Sequence, residues 1–287
     1  MCQKRAIFQP KQDSTTKSQE NVTNLMSQQL DSHHQEFYSN KAYKTVTDAL
    51  DIFKEDDLLS KPGEKFNYTT HGFTLLSAVL EKCANKNFEL LLTEMLHELG
   101  MRNTSVDTKQ NIVGNRAKYY LRNKSHRLEN VPEVDNSNKW AGGGMISNVQ
   151  DLLTFANTIH QSTAYSSPLP FLRKETMEKL WKSETKMSNT NPSALDIYYY
   201  GLGWVKVEEL NPVGGVSPSK TRGYWFHTGA AVGASSILLI KPTSKTAENG
   251  FAEGVCVAIL VNLQDAGSGK VTLALNIAEM FENECSL

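Results

Sequence analysis

Two short stretches of this sequence carry side chains that hydrolytic chemistry uses. His227, Thr228 and Gly229 stand at the head of an apolar run, and Tyr68 follows a Pro-Gly turn. An imidazole and a hydroxyl can hold a substrate carboxylate, and a glycine lets a ligand lie along a strand edge. The next backbone amide, at Ala230, could donate to an oxyanion. These residue types therefore suggest the substrate-binding edge of a serine hydrolase.

Each stretch also has a plainer structural interpretation. A histidine in a strand is usually structural, and a loop tyrosine can simply pack against a helix. A phenol acts as a general base only if nearby cations lower its pKa from about 10. Gly142, Gly143 and Gly144 precede a predicted helix and could cradle a phosphate, but a tight connector is the better interpretation because no Walker lysine accompanies them.

Periodicity and capping signals predict the elements that must position these residues. A helical pattern is expected from Tyr43, with Val46, Leu50 and Phe53 at helix spacing and a stop at Lys61-Pro62-Gly63. Further helices are expected at residues 73–82, 88–99, 149–160, 174–182 and 271–284. Gly100 is the expected C-terminal cap of the third helix, and Ser147 with Gln150 forms a predicted capping box for the fourth. Strands are expected at residues 198–207, 224–240 and 254–262, with a turn at 241–250. Helices followed by antiparallel strands and a covering helix predict an α+β fold.

Composition restricts the classes of function. Of the 287 residues, 39% are hydrophobic and the formal net charge is −1, so we expect a packed core and no general attraction to nucleic acid. The longest apolar run, residues 255–261, is too short to span a bilayer. The four cysteines lack metal spacing and His33-His34 has no third ligand nearby, so neither a metal nor a cofactor is predicted.

Residues 1–45 differ in composition from the rest of the chain. They are rich in Gln, Ser, Asn, Thr and Lys and poor in aliphatic side chains. We predict that they form a disordered or insert-like tail, because they cannot bury enough apolar surface to order themselves. Residues 46–287 are the predicted domain.

The order of the tyrosine loop, the glycine-rich loop and the His-Thr-Gly strand resembles the serine beta-lactamase and penicillin-binding superfamily. The nearest resemblance is to its mitochondrial beta-lactamase-like branch. The most specific stretches are DNSNKWAGGG, at residues 135–144, and HTGAAVGASS, at residues 227–236. The resemblance covers about residues 43–284 and implies a beta-lactamase/transpeptidase-like fold, an antiparallel sheet with a helical lobe. It also implies that the N-terminal strands and the nucleophile helix of such a domain are missing.

The resemblance assigns a role to each candidate residue. Tyr68 would assist proton transfer, while His227, Thr228 and Gly229 would bind the substrate carboxylate and the Ala230 amide would complete the oxyanion hole. Protonated His227 would hold an anion better, so tighter binding is expected at about pH 6 than at pH 8. The third residue of the tyrosine motif is commonly Asn in the superfamily and is Thr70 here, which changes how a substrate amide would bind.

The same resemblance requires a nucleophilic serine in a Ser-x-x-Lys motif that opens a buried helix. Three segments match the motif, beginning at Ser14, Ser183 and Ser217. Ser14 lies in the polar tail, and the other two follow the tyrosine loop, in the wrong order. We therefore predict that this chain has no nucleophile and that the strand at residues 254–262 keeps an unpaired edge.

The expected function follows from these roles. We expect part of a beta-lactamase-like hydrolase or peptidase that cleaves a small peptide or amide by acyl transfer and is inactive alone. The alternative is a non-catalytic scaffold that assembles as a homo-oligomer or filament, since the mitochondrial branch is associated with self-assembly. The resemblance implies a mitochondrial location, although no targeting signal is visible in the chain.

Overall fold

A computed structural model of the protein describes residues 37–284 except 62, 164–170, 183, 188–197, 209–222, 247–249, 265 and 268. The α-helices are α1 (Val46–Ala49), α2 (Thr70–Ala84), α3 (Phe88–Leu99), α4 (Trp140–Gly143), α5 (Val149–Gln161), α6 (Lys174–Leu180) and α7 (Lys270–Glu284). The strands are β1 (Ser105–Val106), β2 (Tyr120–Arg122), β3 (Leu128–Asn130), β4 (Met145–Ile146), β5 (Thr185–Lys186), β6 (Tyr198–Tyr200), β7 (Val205–Val207), β8 (Tyr224–Ala231), β9 (Ala234–Thr246) and β10 (Ala252–Val261). Short 3-10 helices occupy Leu50–Ile52 and Ser137–Lys139.

An antiparallel sheet of six strands, in the order β10-β9-β8-β7-β6-β5, separates two helical layers. Ala156 of α5 packs in the same cluster as Ile240, while Ala274 and Ala278 of α7 pack in the cluster of Leu239. Neighbouring residues of a strand face opposite sides of a sheet. Successive residues of β9 therefore serve different cores, and the predicted α+β order is confirmed.

Side chains close in sequence determine where α2 and α3 begin and where α3 ends. The Thr69 side chain accepts a hydrogen bond from the backbone of His71 at the start of α2, and Asn87 accepts one from Leu90 at the start of α3. Gly100 ends α3 in the left-handed region, at φ +77°, as its predicted cap. The buried face of α3 repeats every three or four residues: Phe88, Leu92, Leu96 and Leu99.

Two predicted strands are wrong because each is a hairpin. Residues 198–207 form β6 and β7, and the chain reverses near Gly203, which adopts φ +85°. Residues 224–240 form β8 and the first part of β9, joined by the two-residue turn of Val232 and Gly233. The predicted turn at residues 241–250 is also wrong in its first part, because β9 continues to Thr246.

α5 starts at Val149 as predicted, but its capping residue is Asn148 and not Ser147. Asn148 caps the helix, and its Oδ1 accepts a 2.8 Å hydrogen bond from the Asp151 amide. The Ser147 hydroxyl lies 2.7 Å from that of Thr104 instead, so Ser147 and Gln150 form no capping box. Ser147 thus bonds to a residue distant in sequence, and Asn148 provides the cap.

β10 is the last strand of the sheet. Among the described strands β10 pairs with β9 alone, so its other edge has no strand beside it.

Residues 37–45 contact the domain. The Tyr43 amide donates to the Ser137 hydroxyl, and the Asp135 amide donates to the Ser39 carbonyl. The boundary at residue 46 stays a prediction. None of the described helices is long and apolar enough to cross a bilayer.

Candidate functional site

Tyr68 lies in the loop immediately before α2, as predicted. The loop is held on one side by the helix cap at Thr69 and on the other by Phe66, whose ring centroid is 5.0 Å from that of Tyr200. The Tyr68 ring lies 5.8 Å from Tyr200 and 6.2 Å from Phe73. With 43% of its surface exposed, Tyr68 is anchored by aromatic neighbours but remains accessible.

The glycine-rich segment supports this loop from behind. A methyl group at Gly142 would lie 2.8 Å from the Thr70 carbonyl oxygen, so α4 packs directly on the first turn of α2. The Thr74 hydroxyl of α2 donates to the Asn138 carbonyl at 2.9 Å. The DNSNKWAGGG stretch is thus a tight connector that fixes the start of α2, in agreement with the plainer of its two interpretations.

Besides the tyrosine loop, the site contains the free edge of β8. Ala231 and Ala234 close a two-residue turn, so they form a hydrogen-bonded pair, and pairs along the hairpin then alternate. Ala230 consequently falls in a non-hydrogen-bonded pair, and its amide is directed away from β9. Because β7 pairs with β8 only as far as Phe226, the edge at exposed Thr228 and Ala230 extends beyond it. This is the edge at which the sequence predicted an oxyanion donor.

His227 of β8 also contacts the tyrosine loop. Its ring centroid lies 5.7 Å from that of Tyr68 and 5.9 Å from that of Tyr200. Its Nε2 is 3.1 Å from the Tyr200 hydroxyl, and its Nδ1 is 2.7 Å from the Thr228 carbonyl oxygen. The structure therefore brings together Tyr68 and His227, the residues to which the resemblance assigned proton transfer and carboxylate binding.

The electrostatics of the site favour neutral side chains. Burial raises the pKa of Tyr68, and no charged group among the described residues opposes that shift. Tyr68 is therefore a hydrogen-bond donor at neutral pH, and base chemistry would require a cation that lowers its pKa. Burial also lowers the pKa of His227, against a smaller effect of the Thr228 backbone. The expected gain in anion binding on protonation consequently moves to lower pH than the ordinary value of 6.5 implies.

Glycine at position 229 has a structural role in addition to letting a ligand lie along the strand edge. Its partner across the hairpin is Ser236, and a methyl group at Gly229 would lie 2.2 Å from the Ser236 hydroxyl oxygen. The serine side chain occupies the space that any larger residue would need. Glycine at this position therefore leaves room for the Ser236 hydroxyl.

The three Ser-x-x-Lys matches give no nucleophile in the described part of the chain. Ser14, Ser183 and Ser217 lie outside the described residues. Lys186, the lysine of the second match, belongs to the two-residue strand β5, whereas the motif requires a helix. His33-His34 also lies outside the described residues, and the described part holds no group of three or more His, Cys, Asp or Glu able to bind a metal.

Tyr200 is the residue that the sequence interpretation missed. It is 3% exposed and is the only described side chain that hydrogen-bonds the His227 ring. Its position directly before the Gly201–Trp204 turn is a signal for a hairpin, and a hairpin would have placed β6 two strands from His227. That signal indicates proximity only, and the hydrogen bond itself requires the folded chain.

A family model described as Beta-lactamase matches residues 14–280. The chain is similar to the serine beta-lactamase-like protein LACTB, mitochondrial, of Bos taurus, with 37% identity over 263 residues, covering 88% of this chain and 46% of the bovine protein. The identity to the Homo sapiens protein of that name is also 37%, over 88% of this chain and 47% of the human protein. The chain thus spans about half the length of the curated relatives it matches.

Solved structures share the fold at lower identity. The octameric penicillin-binding protein homologue from Pyrococcus abyssi gives a TM-score of 0.67 at 19% identity, over 92% of this chain and 55% of that one. A D-stereospecific amidohydrolase from Streptomyces sp. gives a TM-score of 0.64 at 19% identity, over 89% of this chain and 71% of the amidohydrolase. These likenesses concern the fold alone, and they confirm the predicted beta-lactamase/transpeptidase-like architecture.

Proposed function

Because this chain belongs to the beta-lactamase family, we propose that it supplies the tyrosine loop and the strand edge of a serine hydrolase site acting on small peptides or amides. The observation that carries this proposal is the approach of Tyr68 to His227 beside the outward amide of Ala230. Tyr68 assists proton transfer in this scheme. His227, Thr228 and Gly229 form the strand edge against which the substrate carboxylate lies, and the Ala230 amide stabilises the oxyanion.

By itself the chain does not complete acyl transfer. That reaction requires a serine oxygen to bond to the substrate carbonyl carbon while a base takes the serine proton. No described residue matches the Ser-x-x-Lys motif, and no cation among the described residues lowers the pKa of Tyr68, which burial raises. In subtilisin, the loss of the nucleophile alone costs about 10⁶ in turnover.

An activity assay with a covalent probe tests the missing nucleophile. The purified chain is incubated with nitrocefin, a chromogenic peptide amide and a fluorophosphonate probe. We expect no turnover and no labelling, and Tyr68→Phe should behave like the unaltered chain. Turnover that Tyr68→Phe abolishes would contradict the proposal, and Ser14→Ala would then show whether that serine is the nucleophile.

Complementation tests the site itself. The part of the bovine relative that this chain does not cover is co-expressed with the chain, and the mixture is probed again. If residues of this chain complete a hydrolase site, labelling should appear only in the mixture and should fall when His227 or Tyr68 is replaced. Labelling that is insensitive to both replacements would argue against the proposed roles.

A non-catalytic assembly function is the second candidate, and one observation favours it. β10 lies at the edge of the described sheet, and its residues from Gly254 to Val261 carry no charge that would protect that edge. On α7, Leu273, Met280 and Phe281 are exposed. Polymers in sedimentation or electron microscopy, without labelling by the serine probe, would favour this function. A monodisperse monomer would exclude it.

Mitochondrial residence is proposed from the names of the curated relatives alone. Fractionation of cells that express a C-terminally tagged chain tests it. Recovery with the matrix or intermembrane fraction supports the proposal, and recovery with the cytosol counts against it.

A further inference from the structure

We propose that Tyr200 is a positioning residue of the site, which fixes the His227 ring as its Nδ1–H tautomer and leaves substrate contact to Thr228 and Ala230. The positioning role assumes the proposed function. The evidence for it is two hydrogen bonds of the His227 ring.

The first bond determines where the imidazole proton lies. His227 Nδ1 is 2.7 Å from the Thr228 carbonyl oxygen. A carbonyl oxygen only accepts hydrogen bonds, so Nδ1 must carry a hydrogen. In the neutral ring the other nitrogen, Nε2, is then an acceptor.

The second bond occupies that acceptor. The Tyr200 hydroxyl lies 3.1 Å from Nε2 and must donate to it when the ring is neutral. Burial raises the pKa of Tyr200, with a smaller contribution from Tyr68, so the hydroxyl keeps its hydrogen at neutral pH. Burial meanwhile lowers the pKa of His227. Donor and acceptor therefore remain matched across the neutral range.

The phenol cannot easily move away from this bond. Tyr200 is 3% exposed, lies at the end of β6 and packs against the Phe66 ring at 5.0 Å. Its backbone pairs with Val205 in the adjacent strand. A fixed hydroxyl on a paired strand is suited to setting the angle of a partly exposed imidazole.

A consequence for the site follows directly. Both ring nitrogens of neutral His227 are engaged, so no N–H of the ring remains to donate to a substrate. The exposed groups at this edge are Thr228 and Ala230. His227 then shapes the strand edge through its bond to the Thr228 carbonyl, and the neighbouring residues contact the ligand.

The test is nitrogen NMR of the chain labelled with ¹⁵N-histidine, which needs neither substrate nor activity. His227→Gln identifies the His227 signals among the seven histidines. At pH 7.5 we expect the Nδ1–H tautomer in at least about nine-tenths of the molecules. Tyr200→Phe, which removes only the hydroxyl, should raise the Nε2–H form several-fold or broaden the ring signals, whereas Tyr199→Phe on the opposite face of β6 should change neither.

Two results would overturn the inference: a predominant Nε2–H tautomer in the unaltered chain, or the same tautomer ratio with and without the Tyr200 hydroxyl. The first result does not depend on the Tyr200→Phe variant, so a Tyr200→Phe chain that fails to fold does not prevent the test. The tautomer ratio is independent of hydrolysis, and an absence of labelling in the complementation assay would therefore count against the proposed function and not against this bond.

Discussion

Gly142 of α4 lies against Thr70 of α2 so closely that a methyl group on its Cα would be 2.8 Å from the Thr70 carbonyl oxygen. Thr70 follows Tyr68 by two residues and opens the helix that carries the tyrosine loop. This contact couples the glycine-rich segment to the position of the phenol.

Replacement of Gly142 tests that coupling. Because the nearest obstructing atom is a backbone carbonyl oxygen, Gly142→Ala should lower the free energy of unfolding by about 1–3 kcal/mol in urea denaturation. Gly143→Ala is the matched control, since its methyl group would meet no atom within 4 Å and alanine favours a helix. Equal effects of the two substitutions would mean that Gly142 does not position the loop.

The Gly229–Ser236 pair allows a double-mutant cycle at the strand edge. Gly229→Ala alone should destabilise the hairpin by about 1–3 kcal/mol, because its methyl group would overlap the Ser236 hydroxyl. Ser236→Ala removes that hydroxyl, and the next contact, with the Ser236 Cβ at 3.5 Å, is an ordinary one. Chemical denaturation of the double variant should recover most of the loss. Strictly additive effects would contradict the steric explanation.

The buried ion pair between Lys241 and Glu282 connects β9 to α7. Lys241 is 0% exposed, and its Nζ donates to the Glu282 carboxylate. Glu282→Ala should cost about 3–5 kcal/mol because it leaves a buried ammonium without that carboxylate. Lys241→Met with Glu282→Leu should be much closer to the unaltered chain.

The exposed pair of Lys86 and Glu94 is the control for that prediction. Its side chains are 44% and 51% exposed, so Glu94→Ala should change stability by no more than about 1 kcal/mol. If the two single carboxylate replacements cost the same in thermal unfolding, the energetic role assigned to burial is wrong.

His160, on α5, should make stability depend on pH. It is 2% exposed, and burial lowers its pKa from the ordinary 6.5, against a smaller effect of the Glu253 backbone. The unfolded chain therefore takes up a proton at higher pH than the folded chain does. The contribution of His160 is fully present above about pH 7 and is lost as the pH falls below 6.5 toward its folded pKa.

The measurement is the free energy of unfolding in urea between about pH 7.5 and 5.5. His160→Gln should flatten the decline that the unaltered chain shows, by up to about 1.4 kcal/mol per pH unit. His97→Gln, at an exposed position in the last turn of α3, should retain that decline. A His160→Gln chain with an unchanged slope would refute the assignment.

The sequence alone determined the features that depend on neighbours along the chain. α3 and its Gly100 cap were predicted correctly because an apolar face every three or four residues and a left-handed cap are local properties. The loop position of Tyr68 was likewise predictable, since turn residues precede it and a helix follows. The α+β order needed only the succession of such elements.

The tertiary structure alone decided the features that depend on distant partners. The sequence predicted one strand over residues 224–240, and only the strand pairing locates the turn at Val232 and Gly233. Tyr200 reaches His227 because Val205 of β7 pairs with Tyr200 on one side and with Phe226 on the other. Gly229 is constrained by Ser236 across a hairpin. Such contacts result from the packing of separate strands, and no pattern in the sequence predicts which residues form them.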